Sequence, residues 1–216
     1  MKLHLGCGQN YLDGYTNIDY PSSEHTVQDR FVADRLEDIT ELRFDSSTIY
    51  EVRLHHVFEH FRRSQAAAMI ACWNSWLVDG GKLHIEVPDL GAASQVIFNP
   101  FSCRKAKAVA ERHLFGSQEA KWAIHYEAYD KSLMGLLLNI FGFEIINVRR
   151  TIWKGTHNLH VIGKKVKSIP TSDNAIILGR EYLKNFLVDQ SDGEMKMIDI
   201  WMDVFQQQLN SGWAAK

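Results

Sequence analysis

Leu3-His4-Leu5-Gly6-Cys7-Gly8, followed by Thr16-Asn17-Ile18-Asp19, is the stretch that decides the fold of this chain. An apolar run that breaks into Gly-Cys-Gly, with an acid closing a second short apolar run, is how an open α/β sheet holds a nucleoside. The two glycines let the backbone pass close to a ligand, because a side chain at either would occupy space the ligand needs. The dinucleotide fingerprint wants a third glycine three positions after Gly8, where Tyr11 stands. Its acid comes about 20 residues on, whereas Asp19 arrives by a shorter connection. The motif therefore points to a nucleoside without phosphates, its ribose hydroxyls held by the Asp19 carboxylate. A hydride-transfer enzyme loses its phosphate cradle on the same residues.

With 216 residues, 45% of them hydrophobic, the chain can bury one good core, and one domain with an appendage is expected. No apolar run approaches the roughly 20 residues of a membrane span. Met1-Lys2 leads straight into the glycine motif and leaves no room for a signal peptide. A soluble, cytoplasmic protein is the expectation. Cys7, Cys72 and Cys103 are too scattered for a disulfide framework, and no Cys-x-x-Cys pair suggests zinc. A net charge of -2 gives no basic footprint for nucleic acid. Ten histidines are many for this length, and some are expected to line the site.

Apolar segments and breakers alternate as strand, helix, strand, helix over residues 2 to 165, which predicts a Rossmann-like, doubly wound α/β fold with a mainly parallel sheet covered on both faces. The predicted strands are Lys2-Leu5, Tyr15-Ile18, Tyr50-Leu54, Lys82-Val87, Phe143-Val148 and Leu159-Gly163, with a shorter one near Phe31-Ala33. Ser64 is read as the cap of a crossover helix running to Leu77 and ended by Gly80-Gly81. Leu133, Leu136, Leu137 and Ile140 recur at helical spacing before Gly142. The last two strands, joined through Trp153-Lys154-Gly155-Thr156, read as an antiparallel hairpin at the sheet edge.

Two segments stand outside this alternation. Residues 90–128 follow the Val87-Pro88-Asp89 strand end and are too long for a simple connection, so they are expected to shape the substrate side. Residues 166–216 carry two amphipathic patterns, about 174 to 188 and 194 to 209, the second with Met195, Ile198, Trp201, Met202, Phe205 and Leu209 as an apolar stripe. They predict a C-terminal helical hairpin that caps the core or forms a homodimer contact.

The residues carry a family resemblance. Leu5-Gly6-Cys7-Gly8, Asp13-Gly14-Tyr15-Thr16-Asn17-Ile18-Asp19, His56-Val57-Phe58-Glu59-His60 and Gly80-Gly81-Lys82-Leu83-His84-Ile85-Glu86-Val87-Pro88-Asp89 resemble, in order and spacing, the small bacterial class I S-adenosylmethionine-dependent methyltransferases. The likeness spans residues 3 to about 165. It implies S-adenosyl-L-methionine as cofactor and a small-molecule or carbohydrate-type acceptor. Gly6, Cys7 and Gly8 would lie under the methionine and ribose, Asp19 would hold the ribose hydroxyls with Tyr20 beside it, and Asp34 with Arg35 would stand by the adenine. His55 and His56 would end the strand whose tip faces the sulfonium. Where many such enzymes carry an acid two positions before the first glycine, this chain has His4. That departure, with the dimer-like tail, motivates the alternative of a catalytically inactive binding or scaffold protein.

Methyl transfer from a sulfonium is an in-line displacement in which positioning dominates. An alcohol or amine acceptor still benefits from a base near neutral pKa, for which His56 and His125 are the candidates. His56, Glu59 and His60 would share one face of a helix, and His-x-x-Glu-His is the inverted zinc-protease pattern. Such sites take a further ligand that nothing downstream announces, so no metal is expected and Glu59 is read as a loop brace.

Overall fold

The computed structural model describes residues 1–20 and 30–214. Its central sheet takes the strands in the order β3-β2-β1-β4-β5-β7-β6. These are β1 (Lys2–Leu5), β2 (Thr16–Asp19), β3 (Arg35–Leu36), β4 (Ile49–His55), β5 (Leu77–Pro88), β6 (Phe143–Trp153) and β7 (Thr156–Lys165). Pairing is parallel from β3 through β5, and β7 runs antiparallel between β5 and β6. The hairpin turns on Lys154-Gly155, both at positive φ, the mirror-type turn whose twist matches the flanking strands.

Strand periodicity of two puts Leu3, Leu5, Ile18, Val52, Leu54, Leu83, Ile85, Val87, Leu159 and Val161 on one face. They share a single core with the helices α1 (Arg63–Trp76), α4 (Lys131–Ile140), α5 (Ser172–Lys184) and α6 (Asp192–Gly212). Two further helices, α2 (Leu90–Phe98) and α3 (Arg104–Phe115), belong to the 90–128 insertion and pack on each other through Ala93, Ala110 and Leu114. Asp89 starts α2 by accepting from Ala92 N, and Arg150 closes over the same carboxylate at 2.6 Å.

The opposite face carries His4, Arg53, His55, His84, Glu86 and His160. Their rings form a row, with centroids 5.8 Å apart for His4–His55, 6.0 Å for His55–His160 and 5.6 Å for His84–His160. Among the described residues this face is lined by polar and ionisable side chains, with α2 and α3 packed against β7. Residues 6–15, which join β1 to β2, form turns and leave no length for a crossover helix.

Several boundaries move. The short strand predicted near Phe31–Ala33 forms at Arg35–Leu36, because Asp34 N first bonds Asn17 O and pairing with Ile18 begins one residue later. Helix α1 is capped by the backbone of Arg62, with Ser64 buried in its first turn, and it ends at Trp76. Gly80 and Gly81 lie inside β5, where the register against β4 shifts between Ile49 and Glu51. Inside the core, buried Asn74 donates to Phe141 O and Lys167 O and accepts from Ile169 N, tying α1 to the end of α4 and to the chain entering α5.

The C-terminal hairpin forms as predicted, and most of its apolar stripe turns into the core. Ile198, Met202, Phe205 and Leu209 are buried. Phe205 reaches α5 because residue 179 is glycine: a Cβ there would stand 2.6 Å from the ring. Trp76 Nε1 donates to Gly212 O at 2.7 Å, and Gln208 Nε2 donates to Thr40 O at 2.7 Å. Helix α6 therefore lies along α1 with those four stripe residues in the core, while Trp201 is half-buried and Met195 exposed.

Candidate active site

Gly6 and Gly8 sit at the end of β1 with φ of 66° and 55°, the left-handed region that favours glycine. Gly6 N and Cys7 N both donate to Ile18 O, at 2.8 and 3.1 Å, which folds the loop across the end of β2. The reasons for the two glycines differ. A Cβ on Gly6 would overlap Val57 Cγ2 and lie 3.1 Å from Cγ1, so Gly6 makes room for a neighbouring side chain. A Cβ on Gly8 would meet nothing within 4 Å, so there the open space faces outward from the loop. Cys7 is buried, and burial pushes its thiol up to about 11, so it stays protonated.

Asn17 does the work that a crossover helix would otherwise do, and sequence reasoning missed it. Its side chain takes His4 Nδ1 at 3.0 Å and Leu12 N at 3.0 Å, and donates to Leu12 O, Tyr15 O and Asp34 Oδ2. His4 is accordingly turned onto the polar sheet face and buried there. Asp19, at the tip of β2, is buried and accepts from Tyr20 N at 2.9 Å. Asp34 accepts from Asn17 N at 2.8 Å and from Tyr11 Oη at 3.2 Å, bonds that hold its carboxyl below the usual range. Arg35 forms a two-pronged pair with Glu37 at 2.6 and 2.7 Å.

Beyond the strand tips opens a cleft of about 1140 Å³, bounded by Asn10, His55 and Glu86 on the sheet side and by His60, His113 and His125 on the insertion side. His55 accepts from Arg53 Nε at 2.9 Å, and burial, with Arg53 adding to it, lowers its pKa to about 4. His56 has φ of 53°, a strained position for a non-glycine residue. Its N–H donates to Glu86 O at 2.8 Å. Its ring lies between two carboxylates, Nδ1 at 3.3 Å from Glu59 Oε1 and Nε2 at 3.6 Å from Glu86 Oε1. Burial by itself opposes charge on this ring, but the Glu59 and Glu86 carboxylates overrule it and raise the pKa to about 9. His56 is therefore a cation at neutral pH and a poor base. The His113 ring lies tilted against it with centroids 5.4 Å apart and is held by Asn158 Oδ1 at 2.8 Å.

The expected shared face of His56, Glu59 and His60 is not formed, because only a single 3₁₀ turn, Phe58–His60, follows His56. His56 instead turns toward Glu86, and His60 meets His125 from the insertion, ring to ring at 4.6 Å and perpendicular. Glu59, His60 and His125 bring one ligand-type atom each within 4.8 Å of one another. Glu86 and His113 also line the cleft, and sequence reasoning assigned neither a role. Glu86 lies inside a quoted motif and His113 in the insertion, and their strand or helix phase was the available signal.

No protein-family model matches the chain, and none of the curated proteins matches it. Solved structures do. A SAM-dependent methyltransferase from Methanosarcina mazei aligns with a TM-score of 0.50 and 15% identity, over 76% of this chain and 91% of its own. The 1,6-didemethyltoxoflavin-N1-methyltransferase of Burkholderia thailandensis, solved with 1,6-didemethyltoxoflavin and S-adenosylhomocysteine, aligns with a TM-score of 0.52 and 13% identity, over 76% and 70%. The chain has the Rossmann-like fold of the S-adenosylmethionine-dependent methyltransferases. Among the described residues no helix is long and apolar enough to cross a membrane.

Proposed function

We propose that this protein is an S-adenosyl-L-methionine-dependent methyltransferase whose acceptor is a small molecule or a carbohydrate-type compound. The observation that supports this reading is the left-handed glycine loop at the end of β1, folded across the tip of β2 by the bonds from Gly6 N and Cys7 N to Ile18 O, with buried Asp19 the next residue. Bound S-adenosylmethionine supplies an electrophilic methyl group on sulfur. The backbone of Gly6, Cys7 and Gly8 would support its methionine and ribose, and the Asp19 carboxylate would accept from the ribose hydroxyls with Tyr20 alongside. His55, neutral and at the tip of β4, would close the sulfonium end.

Asp34 and Arg35, which would stand by the adenine, are held in place by neighbours. Both carboxylate oxygens of Asp34 are engaged by Asn17 and Tyr11, and Arg35 is engaged by Glu37. They brace the adenine side of the loop from behind. His56, held between Glu59 and Glu86, positions that wall of the cleft, and acceptor activation falls to the group around His125.

Calorimetric titration with S-adenosylhomocysteine tests the reading. The intact protein should bind, and Asp19→Ala should weaken binding by about 10- to 100-fold, the value of one or two charge-assisted hydrogen bonds. Absence of binding by the intact protein would overturn it. Binding with no transfer to any hydroxyl or amine acceptor in a screen would favour the scaffold alternative.

A further inference from the structure

We propose that Glu59, His60 and His125 form a binding site for one divalent transition-metal ion of the zinc class, at the acceptor end of the cleft. Two imidazoles and one carboxylate with an open fourth position are the donor set of a catalytic zinc site. Glu59 and His60 are adjacent in the sequence, and the fold brings the third ligand, His125, from the insertion.

Glu59 and His60 are held from behind, and each ligand is left open in front. Glu59 is fully buried; its Oε1 faces His56 at 3.3 Å, while Oε2 is buried without a hydrogen-bond partner. His60 Nδ1 lies 3.3 Å from Ile124 O, which leaves Nε2 for a ligand. On His125, Nδ1 is buried without a hydrogen-bond partner. A backbone carbonyl behind a ligating imidazole, and a second residue behind a ligating carboxylate, are how metal sites fix their ligands. An orphaned carboxylate oxygen and an orphaned imidazole nitrogen, both buried in one cluster, would be costly unless something bridges them.

The scaffold around the three residues is also built. Tyr126 N donates to Glu59 O at 2.8 Å and joins the insertion to the 3₁₀ turn. Gly116 pairs with Ile124 in an isolated antiparallel bridge, at φ of 85° and so close to Ala123 that a Cβ would overlap its carbonyl. The ligand atoms, within 4.8 Å of one another, need to draw in to about 3.3 Å for tetrahedral bonds of about 2.0 Å, a movement that side-chain rotation covers.

The site stands without the methyltransferase reading; its use rests on that reading. An acceptor hydroxyl in the open position would lose its proton to solvent more readily. Its oxygen would then form the bond to the methyl group as the sulfur–carbon bond breaks and the sulfonium becomes a thioether.

The test uses untagged, full-length protein stripped with a chelator and titrated with Zn²⁺ by calorimetry and with Co²⁺ by visible absorption. One equivalent of each should bind, with Co²⁺ giving the intense bands of a four- or five-coordinate site. His125→Ala and His60→Ala should each weaken Zn²⁺ by more than about 100-fold, beyond the 10- to 100-fold cost of losing an outer partner. His125→Cys should restore most of the affinity, and His113→Ala, a neighbour outside the donor set, should leave the stoichiometry unchanged. Circular dichroism and S-adenosylhomocysteine titration on the same samples separate the two readings: the metal proposal fails if Zn²⁺ binding is absent or indifferent to these variants, whatever the nucleoside does.

Discussion

Replacing Gly6 and Gly8 by alanine, one at a time, separates two roles that look identical in the motif. At Gly6 the left-handed φ of 66° costs an alanine about 1–2 kcal/mol. The new methyl also overlaps Val57, and overpacking of this kind adds about 1–3 kcal/mol, so Gly6→Ala should lose about 2–5 kcal/mol of stability. At Gly8 the φ of 55° is equally left-handed but the Cβ enters open space. Only backbone strain remains, about 1–2 kcal/mol. Urea unfolding followed by the fluorescence of buried Trp73 and Trp76 measures both. Adding Val57→Ala to Gly6→Ala should recover the overpacking share and leave the strain, a coupling that a double-mutant cycle reads directly. For S-adenosylhomocysteine the ranking reverses, since folded Gly8→Ala places its methyl where the ligand is proposed to lie and should lose at least about tenfold in affinity. Equal destabilisation by the two variants would refute the packing argument. Undiminished nucleoside binding by Gly8→Ala would refute the placement of the ligand.

The polar sheet face gives a pH prediction. Burial lowers His55 and His84 to about 4, and lowers His4 and His160 as well, below the ordinary value near 6.5. The unfolded chain therefore binds more protons between those values, and stability should fall by on the order of 2 kcal/mol as pH drops from 6.5 toward 4.5. Urea midpoints that stay level from pH 7 to 5 would contradict it. Thiol titration with a chromogenic disulfide at pH 8 should find one fast cysteine, exposed Cys103, while Cys7, pushed up to about 11, and deeply buried Cys72 lag far behind. Rapid reaction of Cys7 would show that the glycine loop opens in solution.

Local pattern carried much of this protein. The apolar runs, the helix of Leu133 to Ile140 with its cap at Asp130, the Lys154-Gly155 turn and the C-terminal stripe are each written within a few residues, and backbone sterics read them without help from distant groups. The glycine loop and Asp19 were legible for the same reason. Asn17 was not: it lay inside the quoted motif, yet its bonds to His4, Leu12, Tyr15 and Asp34 exist only once β1 and β2 pair and the loop folds over them. Nor was the destination of the histidines. His56 followed the phase of a helix on paper, and the 3₁₀ turn sent it between Glu59 and Glu86. The meeting of Glu59 and His60 with His125 depends on Gly116 and Ile124 bridging in the insertion. Spacing along the chain decides which residues share an element; which elements share a cavity is decided by how their buried faces pack, and that is a property of the whole fold.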